Sequence, residues 1–384
     1  MKKKSTGFVL LALLLLIAPA FAQTAPPAGT WAQIPNTQLY PVIPFEAKSE
    51  SSRGAGNPEL WSPRSLFAFS GGDVAQIDGG WGFLIWGGGH AATPDNSLYW
   101  LPFDGSGAKR LMGPYLAPDK VYYYNDPLET YRAVSRNAPP SVTAAGAPKS
   151  RHTYSSLLRI EVQGRPAVFC FGGSLLVGSG SGTTATRIFD LSQTYAQAMA
   201  RPDMGWALKA VAPGSAVASS SGWDPVQKRV VTRSRNFIGA YYPDADKWEN
   251  WNIHNAPYGS DFQAGVAVDV VGRKMYVLGD RLAEVIDLDS KAYTDLRGQP
   301  WAKATGNAIA WHPRTKQIVS WWGGQNLLLI DPATNAMRTV TMKGVTVSSM
   351  EESGTYGRFR IIPGTDQVVL LNAVDQNVFI GTLP

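Results

Sequence analysis

The sequence predicts an all-β protein folded as a β-propeller, and two observations support this prediction. The first is a repeat, in which a short apolar strand reaches a Gly-Gly pair, as in GWGFLIWGGGH at residues 80–90, and a second strand follows. Its later copies end at residues 235, 279, 323 and 372, which are 44, 44 and 49 residues apart, a spacing typical of propeller blades. The second is composition, because 39 Gly and 27 Pro indicate many short strands joined by turns.

Six copies of the repeat predict six blades, with seven as the alternative count. Each copy is preceded by another strand that ends in a tight turn, as in WDPVQKR and WHPRTKQ. The expected blades cover roughly residues 66–113, 151–211, 215–253, 261–297, 305–341, and 355–384 together with 30–36. The last copy supplies only three strands, so the strand at 30–36 should pair with the strand near the C-terminus and remove two open sheet edges.

The remaining segments are predicted from composition. Residues 1–22 have a basic start, an apolar run and an Ala-Phe-Ala ending, which indicates a secretory signal peptide, and residues 23–29 form a Pro/Ala-rich linker. The propeller is expected over residues 30–384 as a single domain, with an inserted excursion at about 113–149. Export without a membrane span predicts a periplasmic or secreted protein, which we expect to be a monomer.

Charge and cysteine content limit the possible functions. Removal of three lysines with the signal peptide lowers the formal net charge from +6 to +3, so nucleic acid is not an expected partner. Cys170 is the single cysteine, lies among aromatic residues in AVFCFGG, and is expected to be a buried structural thiol.

Several motifs resemble the kelch repeats of the galactose oxidase central domain. They are Gly88-Gly89, Gly172-Gly173, Gly323-Gly324, the stretch RHTYSS at 151–156, and Tyr242 followed by Trp248. The resemblance implies a propeller but little about activity, because kelch propellers include both binding modules and enzymes. The copper-radical chemistry of galactose oxidase is not expected, since it requires a Tyr–Cys crosslink beside two histidines and Cys170 lies within a strand.

The repeat also sorts polar residues by face. The loops before each first strand and between second and third strands should lie on one face, here called the top face, and the hairpins between first and second strands on the opposite, bottom face. Convergent polar groups at the mouth of a channel are a reasonable place to expect a site. The top face is predicted to carry five catalytic candidates, His90, His152, Tyr154, Arg235 and Tyr356, and nine substrate-binding candidates, Arg151, Arg233, Asn236, His254, Tyr258, Arg281, Trp322, Gln325 and Arg358.

These residue types favour an enzyme that acts on an anionic polysaccharide by β-elimination. Such a lyase needs a cation to neutralise the uronate carboxylate, a base to remove the C5 proton, and an acid for the leaving oxygen. Arginines could neutralise the carboxylate, while Tyr and His could transfer protons. No cofactor and no metal are expected.

Two other functions remain open at this point. A non-catalytic glycan- or protein-binding propeller of the cell envelope would need the same face without a base. A metal hydrolase could use His90, His152 and His254 as imidazole ligands, although nothing in their spacing requires it. Structural roles compete for several residues: Arg151 and His152 could tie blades together, Arg235 could form an ion pair between blades, and His312 is expected in a turn on the bottom face.

Overall fold

Antiparallel hairpins build five four-stranded sheets and one five-stranded sheet in the computed structural model of the chain. The structure describes residues 25–43, 66–88, 96–113, 121–122, 133–134, 148, 150–174, 182–214, 216–235, 237–253, 263–279, 282–302, 307–350 and 353–384. The first strands of the six sheets contact one another in sequence around a closed circle. The protein is therefore a six-bladed β-propeller, which confirms the predicted count over the alternative of seven.

The strands are numbered in chain order, and each blade is given from its inner to its outer strand. Blade 1 contains β2 (Gly72–Ile77), β3 (Gly80–Ile85), β4 (Leu98–Pro102) and β5 (Lys109–Met112). Blade 2 contains β8 (Leu157–Val162), β9 (Arg165–Phe171), β10 (Thr186–Asp190) and β11 (Trp206–Leu208). Blade 3 contains β12 (Ser219–Asp224), β13 (Arg229–Ser234), β14 (Ile238–Tyr242) and β15 (Lys247–Asn250).

The second half of the ring follows the same plan. Blade 4 contains β16 (Ala264–Asp269), β17 (Lys274–Gly279), β18 (Leu282–Asp287) and β19 (Tyr293–Asp295). Blade 5 contains β20 (Ala308–His312), β21 (Gln317–Trp321), β22 (Asn326–Asp331) and β23 (Ala336–Thr341). Blade 6 contains β25 (Phe359–Ile361), β26 (Gln367–Leu370), β27 (Phe379–Thr382) and β1 (Thr30–Gln33).

The second strands are almost entirely buried because each blade packs on both sides against its neighbours. All six residues of β13 are buried, whereas most of the outer strand β23 is exposed. A strand covered on both faces reads as a continuous apolar run rather than an alternating one. This is why the second strand carries the clearest repeat in the sequence.

The core lies between the blades. One cluster joins Phe169 of blade 2 to Val230 and Tyr241 of blade 3, and the Trp248 indole donates to the Thr186 hydroxyl across the same junction (2.9 Å). Cys170 is fully buried in a neighbouring cluster between blades 1 and 2. This burial agrees with a structural thiol.

The N-terminal strand closes the ring as predicted. β1 pairs antiparallel with β27, from Thr30 opposite Thr382 to Gln33 opposite Phe379, and Trp31 is only 2% exposed. The described part of the predicted linker joins this sheet, because the Gly29 amide donates to the Thr382 carbonyl (2.8 Å). The signal peptide prediction at 1–22 lies outside the described residues.

Three short elements were not predicted. The strand β24 (Lys343–Gly344) adds to β1 in parallel, and the helix α1 (Tyr195–Met199) connects β10 to β11. Helix α1 begins at Thr194, which forms a capping box with Gln197. Within the expected excursion at 113–149, β6 (Val121–Tyr122) pairs with β7 (Ala133–Val134), and most of the remainder lies outside the described residues.

Candidate functional site

Aromatic and polar side chains from four blades meet at the top end of the propeller axis. They are Phe69 of blade 1, His152 and Tyr154 of blade 2, Gln263 of blade 4 and Tyr356 of blade 6, here called the axial cluster. Each lies one to five residues before the inner strand of its blade. Tyr154 of blade 2 meets Tyr356 of blade 6, and Tyr356 meets Gln263 of blade 4, so these contacts span blades that are not neighbours in the ring and lie near its axis.

The contacts within the axial cluster pass from ring to ring. The His152 Nδ1 lies 3.3 Å from the Tyr154 hydroxyl, and the His152 ring packs on Phe69 with centroids 4.6 Å apart. Tyr154 meets Tyr356 edge to face at 5.3 Å. The Tyr356 hydroxyl donates to the Gln263 side-chain oxygen at 3.3 Å. Edge-to-face packing of this kind is the favoured arrangement of aromatic pairs.

Three members of the axial cluster have a left-handed backbone. The φ angles are 54° at Phe69, 45° at Tyr154 and 48° at Tyr356. An aromatic residue in this region costs on the order of 1–3 kcal/mol, and such residues gather at functional sites. Three blades therefore use the same strained conformation to turn a ring toward the axis.

Glycine allows the backbones beside these rings to approach closely. A Cβ on Gly71 would stand 1.8 Å from the Tyr154 carbonyl oxygen. A Cβ on Gly357 would stand 2.5 Å from the Gly72 carbonyl oxygen. The Tyr154 amide donates to the Phe69 carbonyl at 2.9 Å in the same place. A side chain at Gly71 would push blades 1 and 2 apart and displace Tyr154.

The axial cluster is mostly buried. Tyr356 has no exposed surface, and Tyr154 and His152 are 5% and 8% exposed. Phe69 and Gln263 are half-buried and form the solvent-facing side. A ligand that arrives along the axis would therefore contact Phe69 and Gln263 first.

Three predicted arginine ligands are used inside the protein instead. The Arg358 guanidinium is fully buried and donates to the Ser70 and Leu371 carbonyls at 3.0 and 2.7 Å. Arg233 pairs with Glu284 across blades 3 and 4 (2.6 Å), and both side chains are fully buried. Arg151 donates to the Gly172 carbonyl at 3.3 Å. These arginines join neighbouring segments, so we leave them out of the proposed site.

The other described candidates differ in exposure. Arg235 and Trp322 face solvent, and Trp322 is 48% exposed. Gln325 donates to the carbonyls of Met342 and Val345 and accepts from the Val347 amide, so it holds the segment after blade 5. The predicted residues that lie outside the described part of the chain are His90, Asn236, His254, Tyr258 and Arg281.

Two members of the axial cluster, Phe69 and Gln263, were missed in the sequence. Phe69 stands three residues before the inner strand of its blade in FSGGD, as Tyr154 does in YSSLL and Tyr356 does in YGRFR. Alignment of the strand starts, rather than of the Gly-Gly ends, could have found Phe69. Gln263 has no such signal, because its role depends on a contact across the axis.

The described residues contain neither a metal-binding group nor a membrane-spanning helix. No group of three or more His, Cys, Asp or Glu residues there could hold a metal ion. Two of the three histidines considered for a metal hydrolase, His90 and His254, fall outside those residues. No helix in the described ranges is long and apolar enough to cross a membrane.

Comparison with known proteins adds structural likeness at very low sequence identity. No family model matches the chain, nor does any curated protein sequence, so the kelch resemblance rests on the motifs alone. A structural genomics protein of unknown function from Bacteroides thetaiotaomicron is similar with a TM-score of 0.47 and 8% identity, covering 91% of this chain and 74% of that one.

Two extracellular domains from the same organism are also similar. One belongs to a protein described as the one component system BT4673 (TM-score 0.45, 10% identity, 90% of this chain and 43% of that one). The other belongs to the hybrid two component system BT3049 (TM-score 0.41, 9% identity, 85% and 41%). This chain spans less than half the length of either. The function therefore has to be argued from the site.

Proposed function

We propose that the protein is exported and that the mouth formed by the axial cluster binds an anionic polysaccharide. The observation that carries this proposal is the meeting of Phe69, Tyr154 and Tyr356 at the axis in a costly left-handed conformation. Aromatic faces pack against sugar rings, and the half-buried Phe69 ring is placed to do so, while the Gln263 amide can bond to sugar hydroxyls. Arg235 is an exposed cation on the predicted top face and supports a preference for anionic chains.

Retention on polysaccharide columns tests binding. The panel contains alginate-like, pectin-like, ulvan-like and glucuronan-like chains, with a neutral glucan for comparison. Phe69→Ala should weaken binding about tenfold, because it removes the half-buried ring that a sugar meets first. Met337→Ala is the matched control, since Met337 is 49% exposed on the outer strand of blade 5. No retention on any acidic chain would reject the proposal.

A second candidate function, β-elimination at uronate residues, is favoured by the contact between His152 and Tyr154. A hydroxyl and an imidazole 3.3 Å apart can share a proton, as an acid and a base must in this reaction. In this scheme Tyr154 gives its hydroxyl proton to His152 and removes the C5 proton. The C4–O bond breaks as the C4=C5 double bond forms, and Tyr154 returns the proton to the leaving oxygen while Arg235 neutralises the carboxylate.

The ultraviolet absorbance of an unsaturated uronate distinguishes the two candidates. A lyase should lose about 10²–10⁴-fold in turnover in Tyr154→Phe or His152→Ala, with much smaller changes in retention. A binding module should give a flat absorbance trace with every chain that the column retains. In that module Arg235→Ala should weaken binding most at low salt.

A further inference from the structure

A cavity lies on blade 2, and none of the residues that line it belongs to the axial cluster. It has a volume of about 170 Å³, enough for about six water molecules. Apolar atoms of Val162, Pro166, Ala167, Ile188 and Ala207 form its floor, and three cationic side chains, Arg165, Arg201 and Lys209, stand around it. This cavity is here called the blade 2 groove.

The two carboxylates that pair with Arg165 and Arg201 each accept three hydrogen bonds already, out of about four that a carboxylate can accept. Asp190 accepts from the Ser192 amide and hydroxyl at 2.9 and 2.6 Å, and its other oxygen accepts from Arg165 at 3.0 Å. Asp203 accepts from Arg201 through both oxygens, at 2.8 and 2.7 Å, and from the Gly205 amide at 3.0 Å. Little acceptor capacity remains for a ligand.

Donors, in contrast, remain available. Arg165 uses one of its five N–H groups on Asp190, and Arg201 uses its Nε and Nη2 on Asp203. The Lys209 ammonium has no hydrogen bond or ion pair within the part of the chain that the structure describes, and its stem is half-buried. The residues that line the groove include three cations and one carboxylate, Asp190, so Lys209 has no carboxylate partner among them.

We propose that the blade 2 groove binds a single small acid with a compact carbon body, of the kind represented by a uronic acid unit. The carboxylate would pair with Lys209, the ring hydroxyls would accept from Arg165 and Arg201, and the carbon body would lie on the apolar floor. Its volume is below that of an ordinary drug-sized pocket, which matches one sugar unit rather than several. This inference does not depend on the axial cluster.

Calorimetric titration of the full protein with glucuronate, glucose and acetate tests the inference. Glucuronate should bind at least tenfold more tightly than glucose or acetate. Glucose lacks the carboxylate that would pair with Lys209, and acetate lacks the sugar ring that would lie on the apolar floor. Lys209→Glu should weaken glucuronate binding at least tenfold, and Arg165→Gln should weaken it less. Lys343→Glu is the control, since Lys343 is exposed on β24.

The outcomes separate this groove from the axial cluster. Equal binding by Lys209→Glu and the unchanged protein, or no glucuronate binding at all, would overturn the inference. If Phe69→Ala abolished glucuronate binding and Lys209→Glu did not, the axial cluster would be the only site. Competition by oligoglucuronate would identify a polymer chain as the source of the ligand, whereas binding of the monomer alone would identify a free sugar acid.

Discussion

The ion pair between Arg233 and Glu284 shows how this ring uses a buried charge. Both side chains are fully buried, and the Arg233 Nε lies 2.6 Å from the Glu284 carboxylate. Burial raises the pKa of Glu284, and the neighbouring Arg233 opposes that rise. Burial of either charge without its partner would carry a large desolvation penalty.

Arg233→Met should therefore destabilise the protein by about 3–5 kcal/mol, because it leaves Glu284 buried without its cation. Denaturant unfolding measures this change. Arg297→Met is the control, since the Arg297–Asp295 pair is exposed and should contribute no more than about 1 kcal/mol. The double variant Arg233→Met/Glu284→Leu should recover most of the loss. A loss below 1 kcal/mol in the single variant would contradict this assignment.

His312 occupies the turn position that aspartate holds in two other blades, as the sequences WDPVQKR, VDVVGRK and WHPRTKQ show. Its Nδ1 accepts from the Thr315 amide at 3.2 Å, and its Nε2 lies 2.9 Å from Asp366. Burial lowers the pKa of His312, although the nearby Asp366 acts in the opposite direction. His312 is the last residue of β20, and its side chain caps the turn that follows.

This arrangement predicts a loss of stability in mild acid. A lowered pKa means that folding favours the neutral imidazole. The contribution of His312 to folding stability is therefore complete above about pH 6.5 and declines as the pH falls toward the folded-state pKa. The slope should not exceed about 1.4 kcal/mol per pH unit. His312→Asn keeps an acceptor for the turn and should lack this slope. Chemical unfolding at several pH values between 7.5 and 5 compares the two proteins, and parallel curves would refute the prediction.

At the scale of the element, three of the third strands (β10, β18 and β22) end in an aspartate that caps the following turn. The Asp287 carboxylate accepts from the Ser290 amide at 2.8 Å, and Asp331 accepts from the Ala333 amide at 2.9 Å. These amide bonds are typical of turns that begin with aspartate. The hydrogen bond from the Ser290 amide is the main cause of the lowered pKa of Asp287.

Asp287→Ala should cost about 1–2 kcal/mol, because the turn amides lose a charged acceptor. The contribution should be present above about pH 4 and should be lost as the pH falls below it, since the folded-state pKa is the lower one. Asp287→Asn retains an acceptor oxygen and should lose less, without that pH dependence. Thermal unfolding at pH 7 and pH 3.5 measures the loss of stability and its pH dependence. A larger loss in Asp287→Asn than in Asp287→Ala would argue against a capping role for this carboxylate.

An element could be predicted from the sequence when residues close to it in the chain determine its structure. The second strands and their turns depend on nearby residues, so the repeat located all six blades. The arginines were harder, because two arginines at the end of one second strand can differ, with Arg235 exposed to solvent and Arg233 buried between blades. Helix α1 is five residues long and has too few turns to give a periodic signal.

For the whole molecule, closure of the ring by β1 is the critical contact. A protein that begins at residue 37 would lack this strand and expose the edge of β27, so it should unfold with reduced cooperativity and associate through that edge. A protein that begins at residue 25 is the control and should behave normally. A peptide of residues 25–36 added to the shorter protein should restore the single transition. Unchanged unfolding of the shorter protein would show that closure is dispensable.

Ring closure also has to wait until the last strand of the chain has been synthesised. Thr30 pairs with Thr382, so the two partners are synthesised 352 residues apart, which takes roughly 20–70 seconds at about 5–20 residues per second. During that interval the Trp31 side chain, almost completely covered in the finished ring, has no place to pack. Any factor that keeps the nascent chain from misfolding until its last strand emerges has this interval in which to act.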